Sequence, residues 1–417
     1  MRREDDAPAR LAAEAVARRS YGKLVAFLAS RTRDVAGAED ALSEAFAAAL
    51  EDWPAGGVPR NPEAWLMTVA KRRMIDAARR RQTGDGAAEH SLLLSEISQT
   101  EESDSQIPDE RLALMFACAH PAIDAAIRAP LMLQTILGFD AAAIASAFLV
   151  APSTMGQRLV RAKKKIRAAG IPFRVPGRAD LPLRLDAVLG AIYATFAEGW
   201  TDPAGTDTRR RNLAEEGIWL GRLAASLLPE EPEALGLLAL MLHAEARRGA
   251  RRDAEGEYVP LAEQDPALWK AELIDEAEAL LFRASRINQI GRYQLEAAMQ
   301  SAHAARRRTG RTDWAAIVQI YDSLLAITDS PVVAINRAIA LAETVDPAAA
   351  LAALDALAGD DRLADYQPWW AARAGLLART RNTEAAGQAY ERAIGLESDP
   401  AVRRFLQRRK AALRPES

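Results

Sequence analysis

The stretch that most constrains the fold runs from Asp140 to Ala168, DAAAIASAFLVAPSTMGQRLVRAKKKIRA. It reads as two short helices with a tight break between them. The first carries Ile144, Ala145 and Phe148 on one face. The run Leu149-Val150-Ala151-Pro152 interrupts the pattern, because proline suits the first turn of a helix but not its interior. The second helix starts there and repeats Met155, Leu159, Ala162 and Ile166 as a narrow apolar stripe. Its other side carries Thr154, Gln157, Arg158, Arg161, Lys164 and Lys165, and from Pro152 to Ala168 there are six Lys or Arg and no acid. A short helix, a turn and a second helix with polar and basic residues opposite its stripe make a helix-turn-helix. In a DNA major groove, Ser153, Thr154, Gln157 and Arg158 would reach base edges. Arg161, Lys164 and Lys165 would meet phosphates. A solvated charged face is the plainer reading of a basic run, but it does not explain why the two-helix pattern and the missing acids coincide.

At 417 residues the chain has room for two to four domains. Its formal charge of −3 excludes a globally basic nucleic-acid coat, so DNA contact must come from local patches. The single cysteine, Cys118, excludes an internal disulfide framework and suits a reducing, cytoplasmic setting. No signal peptide is expected after MRREDDAPAR, and no apolar run is long enough to span a membrane. Helical periodicity recurs throughout and strands are hard to find, so the expected class is all-α.

Near the N-terminus, Tyr21, Leu24, Val25 and Leu28 form one helical stripe. Leu42, Ala45, Phe46, Ala49, Leu50 and Trp53 form a second, which Pro54 and Gly56-Gly57 are expected to end. Asn61 is placed to cap a third helix with Pro62 at its first position. The second helix is acidic (Glu39, Asp40, Glu44, Glu51, Asp52), and the third has six basic residues and one acid between Lys71 and Arg81. Basic residues beside Trp53 and Trp65 suit melted or single-stranded DNA. Filling the core is the plainer role for each tryptophan.

The segment AEDALSEAFAAALEDWP followed by NPEAWLMTVAKRRMIDAARRR resembles region two of the extracytoplasmic-function (ECF) sigma factors. Residues 140–167 resemble their region four, with the recognition helix reading Ser153-Thr154-Met155-Gly156-Gln157-Arg158-Leu159. The resemblance implies a promoter-specificity subunit of bacterial RNA polymerase. Glu39, Asp40, Leu42, Glu44 and Phe46 would dock on core polymerase. Trp53, Asn61 and Trp65, at the loop and start of the third helix, would capture a flipped minus-ten base, and Lys71, Arg72 and Arg73 would hold the backbone there. Flipping costs a few kcal/mol, which a prepared pocket must offset. Region four would read the minus-thirty-five element of promoter DNA. The chain departs from the pattern at Ala143, where glutamate is usual, and at Gly156, where lysine is usual.

The domains implied are region two over 1–82, a linker over 83–108, region four over 109–177 and an extension over 178–417. From Gln82 to Pro108 the chain has six acids and no Lys or Arg, the composition of a flexible tether. A helix is expected from Arg111 to Ala119. Cys118 and His120 are two apart with no further Cys, so no metal and no cofactor are expected, and Cys118 reads as a core residue.

In the extension, helices are expected over Leu183–Phe196, Arg209–Leu228, Glu233–Arg248, Pro266–Ser285 and Tyr293–Arg308. Ala338, Leu341, Ala350, Leu354 and Leu357 recur as Ala374, Leu377, Ala386, Tyr390 and Ala393, each 36 residues on. This spacing resembles tetratricopeptide repeats over about 290–410, and helical pairs of that kind stack into a solenoid that binds a partner. Sigma region two, region four and such an extension, opening with LDAVLGAIYATFAEGW, together resemble one ECF subgroup. That order implies control by the fused domain, through a protein partner or an intramolecular contact. Glu198, Gly199 and Trp200 are candidates for a specific contact, against a plainer role in ending a helix. The competing class is a helix-turn-helix regulator or scaffold that never touches polymerase; the acidic second helix and the Trp-plus-basic third helix are superfluous to it. No phosphate loop, nucleophile motif or histidine cluster points to an enzyme.

Overall fold

The computed structural model describes residues 6–81, 110–147, 150–177, 181–200 and 208–413. The protein is all-α. The acidic linker and Phe148 lie outside the described residues. The chain divides into two compact units, Met1–Gly199 with Asn212–Gly217, and Trp200–Arg211 with Ile218–Ser417.

In the first unit, α1 (Asp6–Thr32), α2 (Val35–Gly56) and α3 (Pro62–Arg81) pack against one another. The α2 stripe is buried at Leu42, Ala45, Ala49 and Trp53. Fully burying a leucine of this kind contributes about 1.5–3 kcal/mol. Asp34 caps α2 by accepting from Gly37 N at 3.0 Å. Asn61 Oδ1 accepts from Ala64 N at 3.1 Å and Pro62 opens α3, as the sequence predicts. Pro54 does not end α2, which runs to Gly56. The lost N–H leaves the Leu50 carbonyl without its helical partner, but Leu50 is exposed and water can serve that carbonyl.

Next come α4 (Arg111–Cys118), α5 (Ala125–Leu137), α6 (Ala141–Ala147), α7 (Pro152–Ala168) and α8 (Leu181–Trp200). Seven of the eight α4 residues are buried, Leu112 through Cys118, so α4 is a core rod with α1 and α5 around it. Gly22 lets α1 and α5 touch, since a Cβ there would collide with the Ile136 carbonyl. α8 runs four residues past Phe196. Arg184 on it donates to the Phe116 carbonyl at 2.9 Å.

The second unit is built on α10 (Pro232–Ala246), which follows α9 (Thr208–Leu227) and is buried nearly all round. It packs against α11 (Ala271–Ser285) and α12 (Arg292–Ala304). Glu233 of α10 caps α12, accepting from Tyr293 N at 3.0 Å and Gln294 N at 3.1 Å. Gly236 permits this approach, because a Cβ there would lie 2.7 Å from Gln294 N. The helix expected over 266–285 is split. Pro266–Leu268 is a 3-10 turn, and buried Trp269 and the bond from Lys270 N to the Ala246 carbonyl (3.0 Å) turn the chain before α11 begins. The helix expected to Arg308 likewise breaks at Ala305, leaving a separate turn α13 (Arg306–Thr309) that Gly310 closes in the left-handed region.

Beyond it lie α14 (Trp314–Ile327), α15 (Pro331–Thr344), α16 (Pro347–Asp355), α17 (Gln367–Arg379), α18 (Thr383–Leu396) and α19 (Pro400–Ala411), each packed against the next. Ala338, Ala350 and Leu354 are buried, and so are Ala374, Ala386 and Tyr390, their counterparts 36 residues on. Arg379 reaches back to Glu343, 36 residues earlier, at 2.5 Å.

Candidate nucleic-acid interface

Helix α7 lies in the first unit and displays what the sequence places on it. Met155, Leu159, Ala162 and Ile166 are buried. Ser153, Thr154, Gln157, Arg158, Arg161, Lys164 and Lys165 lie exposed on the side turned away from that stripe. Proline at the first position and an apolar stripe of period near 3.6 produce this division. A side chain at Gly156 would enter open space, since nothing lies within 4 Å of a Cβ there.

Two further cations of α7 behave differently. Lys163 is ion-paired with Glu39 of α2, and both side chains are about nine-tenths buried, 11% and 10% exposed. Arg167, one turn on, pairs with Asp34 at 3.1 Å. The partners are 124 and 133 residues apart, so no local pattern could couple them. The one sequence signal is the i, i+4 spacing of Lys163 and Arg167. Burial raises the Glu39 pKa, and the neighbouring Lys163 ammonium opposes that rise.

The five residues expected to meet polymerase therefore do not share one exposed face. Glu44 is exposed and Phe46 is half-buried, but Leu42 is fully buried and Glu39 is held under α7. Asp40, beside Glu39 on α2, is exposed. Arg73 leans on Glu44 at 3.3 Å.

At the start of α3, Trp53 is buried and Trp65 half-buried, with ring centroids 5.6 Å apart and planes at 66°. Trp53 thus backs Trp65, and Asn61 is occupied as the α3 cap. Ser20 Oγ donates to Glu63 Oε1 at 2.5 Å and holds the first turn of α3 on α1. Arg72 and Arg73 are exposed, while the Lys71 ammonium sits 5.7 Å from the Phe27 ring centroid. The α2–α3 loop and the basic face of α3 are thus adjacent in sequence and on one helical framework, and the α7 face is a separate patch.

Cys118 lies buried with its Sγ 3.4 Å from Thr135 Oγ1, and burial pushes its thiol up to about 12. His120 Nδ1 accepts from Ala122 N at 3.1 Å. Among the described residues no cluster of three or more His, Cys, Asp or Glu is placed to hold a metal. No described helix is long and apolar enough to cross a membrane.

Residues 16–83 match sigma-70 region 2, the span of α1–α3. Residues 184–285 match a family of unknown function, DUF6596. An uncharacterized protein of Rhizobium meliloti (strain 1021) is 38% identical over 376 residues, 89% of this chain and 88% of that protein. No solved structure matches the chain.

Proposed function

Because the chain belongs to the family of that Rhizobium meliloti protein and carries a sigma-70 region 2 at its N-terminal end, we propose that it is an ECF-type sigma factor that binds core RNA polymerase and directs transcription initiation at its own promoters. The observation that carries the reading is the sigma-70 region 2 match followed in the chain by α7, a helix with an exposed polar and basic face. In this reading Trp65, backed by Trp53, receives the flipped minus-ten base beside Asn61, and Lys71, Arg72 and Arg73 hold the strand. Ser153, Thr154, Gln157 and Arg158 read the minus-thirty-five bases, and Arg161, Lys164 and Lys165 bind the flanking phosphates. Asp40, Glu44 and Phe46 supply the first contacts with core enzyme. Glu39 joins them once α7 leaves α2, so that polymerase and Lys163 compete for Glu39, while Leu42 stays in the core behind them. The later helices, with their 36-residue period, form a tetratricopeptide-like domain that binds a protein partner or the chain itself and sets the activity of the first 177 residues.

The test is run-off transcription with purified core polymerase and a pool of upstream DNA from the source genome. New start sites that require the protein support the reading and give the promoter motif. Absence of binding to core polymerase by both the full chain and a truncation after Gly177 sinks it and leaves a helix-turn-helix regulator.

A further inference from the structure

The second unit concentrates four arginines at the end of α10, in the sequence Arg247-Arg248-Gly249-Ala250-Arg251-Arg252, where a 3-10 turn replaces the helix. Two of them have carboxylate partners. Arg248 Nε meets Glu245 at 2.7 Å and Arg252 pairs with Asp399. The other two hydrogen-bond only to neutral acceptors. Arg247 Nη2 donates to Gln300 Oε1 at 2.7 Å, and its Nε is buried with no hydrogen-bond partner. Arg251 Nη1 donates to the Trp200 carbonyl at 2.9 Å, and its guanidinium lies 4.5 Å from the centroid of the Trp200 ring.

Apart from Asp399, which pairs with Arg252 and also acts on Arg251, the groups closest to this pair are neutral or positive. A short return of the chain, with Val259 N on the Arg251 carbonyl at 2.9 Å, brings Tyr258 alongside Arg252. His303 lies on α12 one turn beyond Gln300, and burial, then Arg247 and Arg306, push it down to about 4, so it is neutral at pH 7. Burial and then the Arg251 charge push Arg247 down to about 10. The nearby acids are engaged elsewhere: Glu245 and Asp399 as above, and Glu257 with Arg404 and Arg408 at 2.6 and 2.7 Å.

Two guanidiniums drawn out of water with no carboxylate bonded to either are costly, and proteins keep such an arrangement where an anion completes it. We propose that Arg247 and Arg251, with Trp200, Tyr258, Gln300 and His303, form a binding site for the oxyanion group of a small molecule, a carboxylate or a phosphate. The planar guanidinium fork fits both, with two parallel N–H donors. Tyr258 and neutral His303 add uncharged donors, and Trp200 gives a ring to the remainder of the ligand. The site gives a role to Trp200, and most of it lies inside the span matched to a family of unknown function. It stands independently of the sigma reading.

The experiment is thermal unfolding and calorimetric titration of the full chain at pH 7.5. Sodium phosphate and sodium citrate are compared with sodium chloride at equal ionic strength. The melting midpoint of the native chain should rise by about 2–4 °C more than in chloride in whichever anion the site prefers, with one site by titration. The larger rise tells phosphate from carboxylate. Anions also stabilise proteins generally, so the rise is compared with that of Arg251→Gln and Arg247→Met. Both variants should lose the specific rise, and Arg247→Met should melt in chloride at or above the native midpoint, because it removes an uncompensated charge. An equal anion-dependent rise in all three proteins, or a midpoint for Arg247→Met that falls equally in every salt, overturns the proposal.

Discussion

Helix α7 and the turn after α10 are both rich in basic residues, and they use the charge in opposite ways. On α7 the seven candidate DNA-contacting side chains are spread along the solvent side and fixed by a stripe of four buried residues behind them. At 247–252 the guanidiniums are drawn inward, stacked on Trp200 and held by groups from α12 and from the start of α19. The first arrangement keeps cations hydrated until a polyanion displaces water and counterions, so its affinity should depend steeply on salt. The second has met the desolvation cost in advance, so it suits one small anion and is far less sensitive to screening. Both are strongly basic; burial decides which ligand each can take.

The comparison breaks most readily with acid. His243 and His303 in the second unit are both pushed by burial down to about 4, below the ordinary histidine range. A depressed folded pKa means that the unfolded chain takes up protons first as the pH falls below about 6.5. Stability is therefore full above that pH and is lost between about 6.5 and 4, on the order of 3 kcal/mol per histidine. Guanidine unfolding of the full chain followed through amide exchange of α10 should show this slope, and His303→Gln should flatten part of it. In the first unit burial also lowers the pKa of His120, which is half-buried, so the α7 amides should follow a shallower slope.

The next largest effect is on DNA. Arg158→Ala should cost about 1–3 kcal/mol for each base edge that the arginine reads, and it should relax sequence preference, measured by competition between promoter variants. Lys164→Ala should weaken all sequences alike and lower the salt slope by about one. Equal effects of the two variants on sequence preference would sink the division of α7 into base-reading and phosphate-binding residues. Gly156→Ala should stabilise α7 by up to about 1 kcal/mol, because the added methyl meets nothing and alanine is the better helix former; chemical denaturation of the full chain measures it. The smallest effect belongs to Arg167→Ala, whose pair with Asp34 is largely exposed on the arginine side; it should change the unfolding free energy by less than about 1 kcal/mol.

These two patches also mark how far a linear chain discloses its own fold. α7 is legible because its boundaries and faces are local: Pro152 sets the start, and the stripe from Met155 to Ile166 sets the orientation. The cap at Asn61 is equally local. The ion pair of Lys163 with Glu39 is not legible, since it couples residues 124 apart and turns an expected docking residue inward. Trp200 stands out in the sequence, but its partners Arg248 and Arg251 come from another helix end, so only the folded chain explains it. Helix ends depart from expectation at Pro54 and at 266–270 for two reasons. Proline is tolerated where water can serve the freed carbonyl, and a buried tryptophan can bend a chain that propensity would keep straight.

The period of 36 residues in the last helices has a consequence for how such a chain can change length. Glu343 and Arg379 occupy equivalent places in successive units and attract one another. Adding or removing a whole unit keeps small residues facing large ones, although it replaces or removes the Glu343–Arg379 pair. An insertion of any other length within a helix rotates every later side chain by about 100° per residue and exposes Leu354 or Tyr390 counterparts to water. Inheritance in this part of the chain is therefore quantised: duplication and deletion of whole units are the changes it can survive, and partial ones fall to the loops between helices.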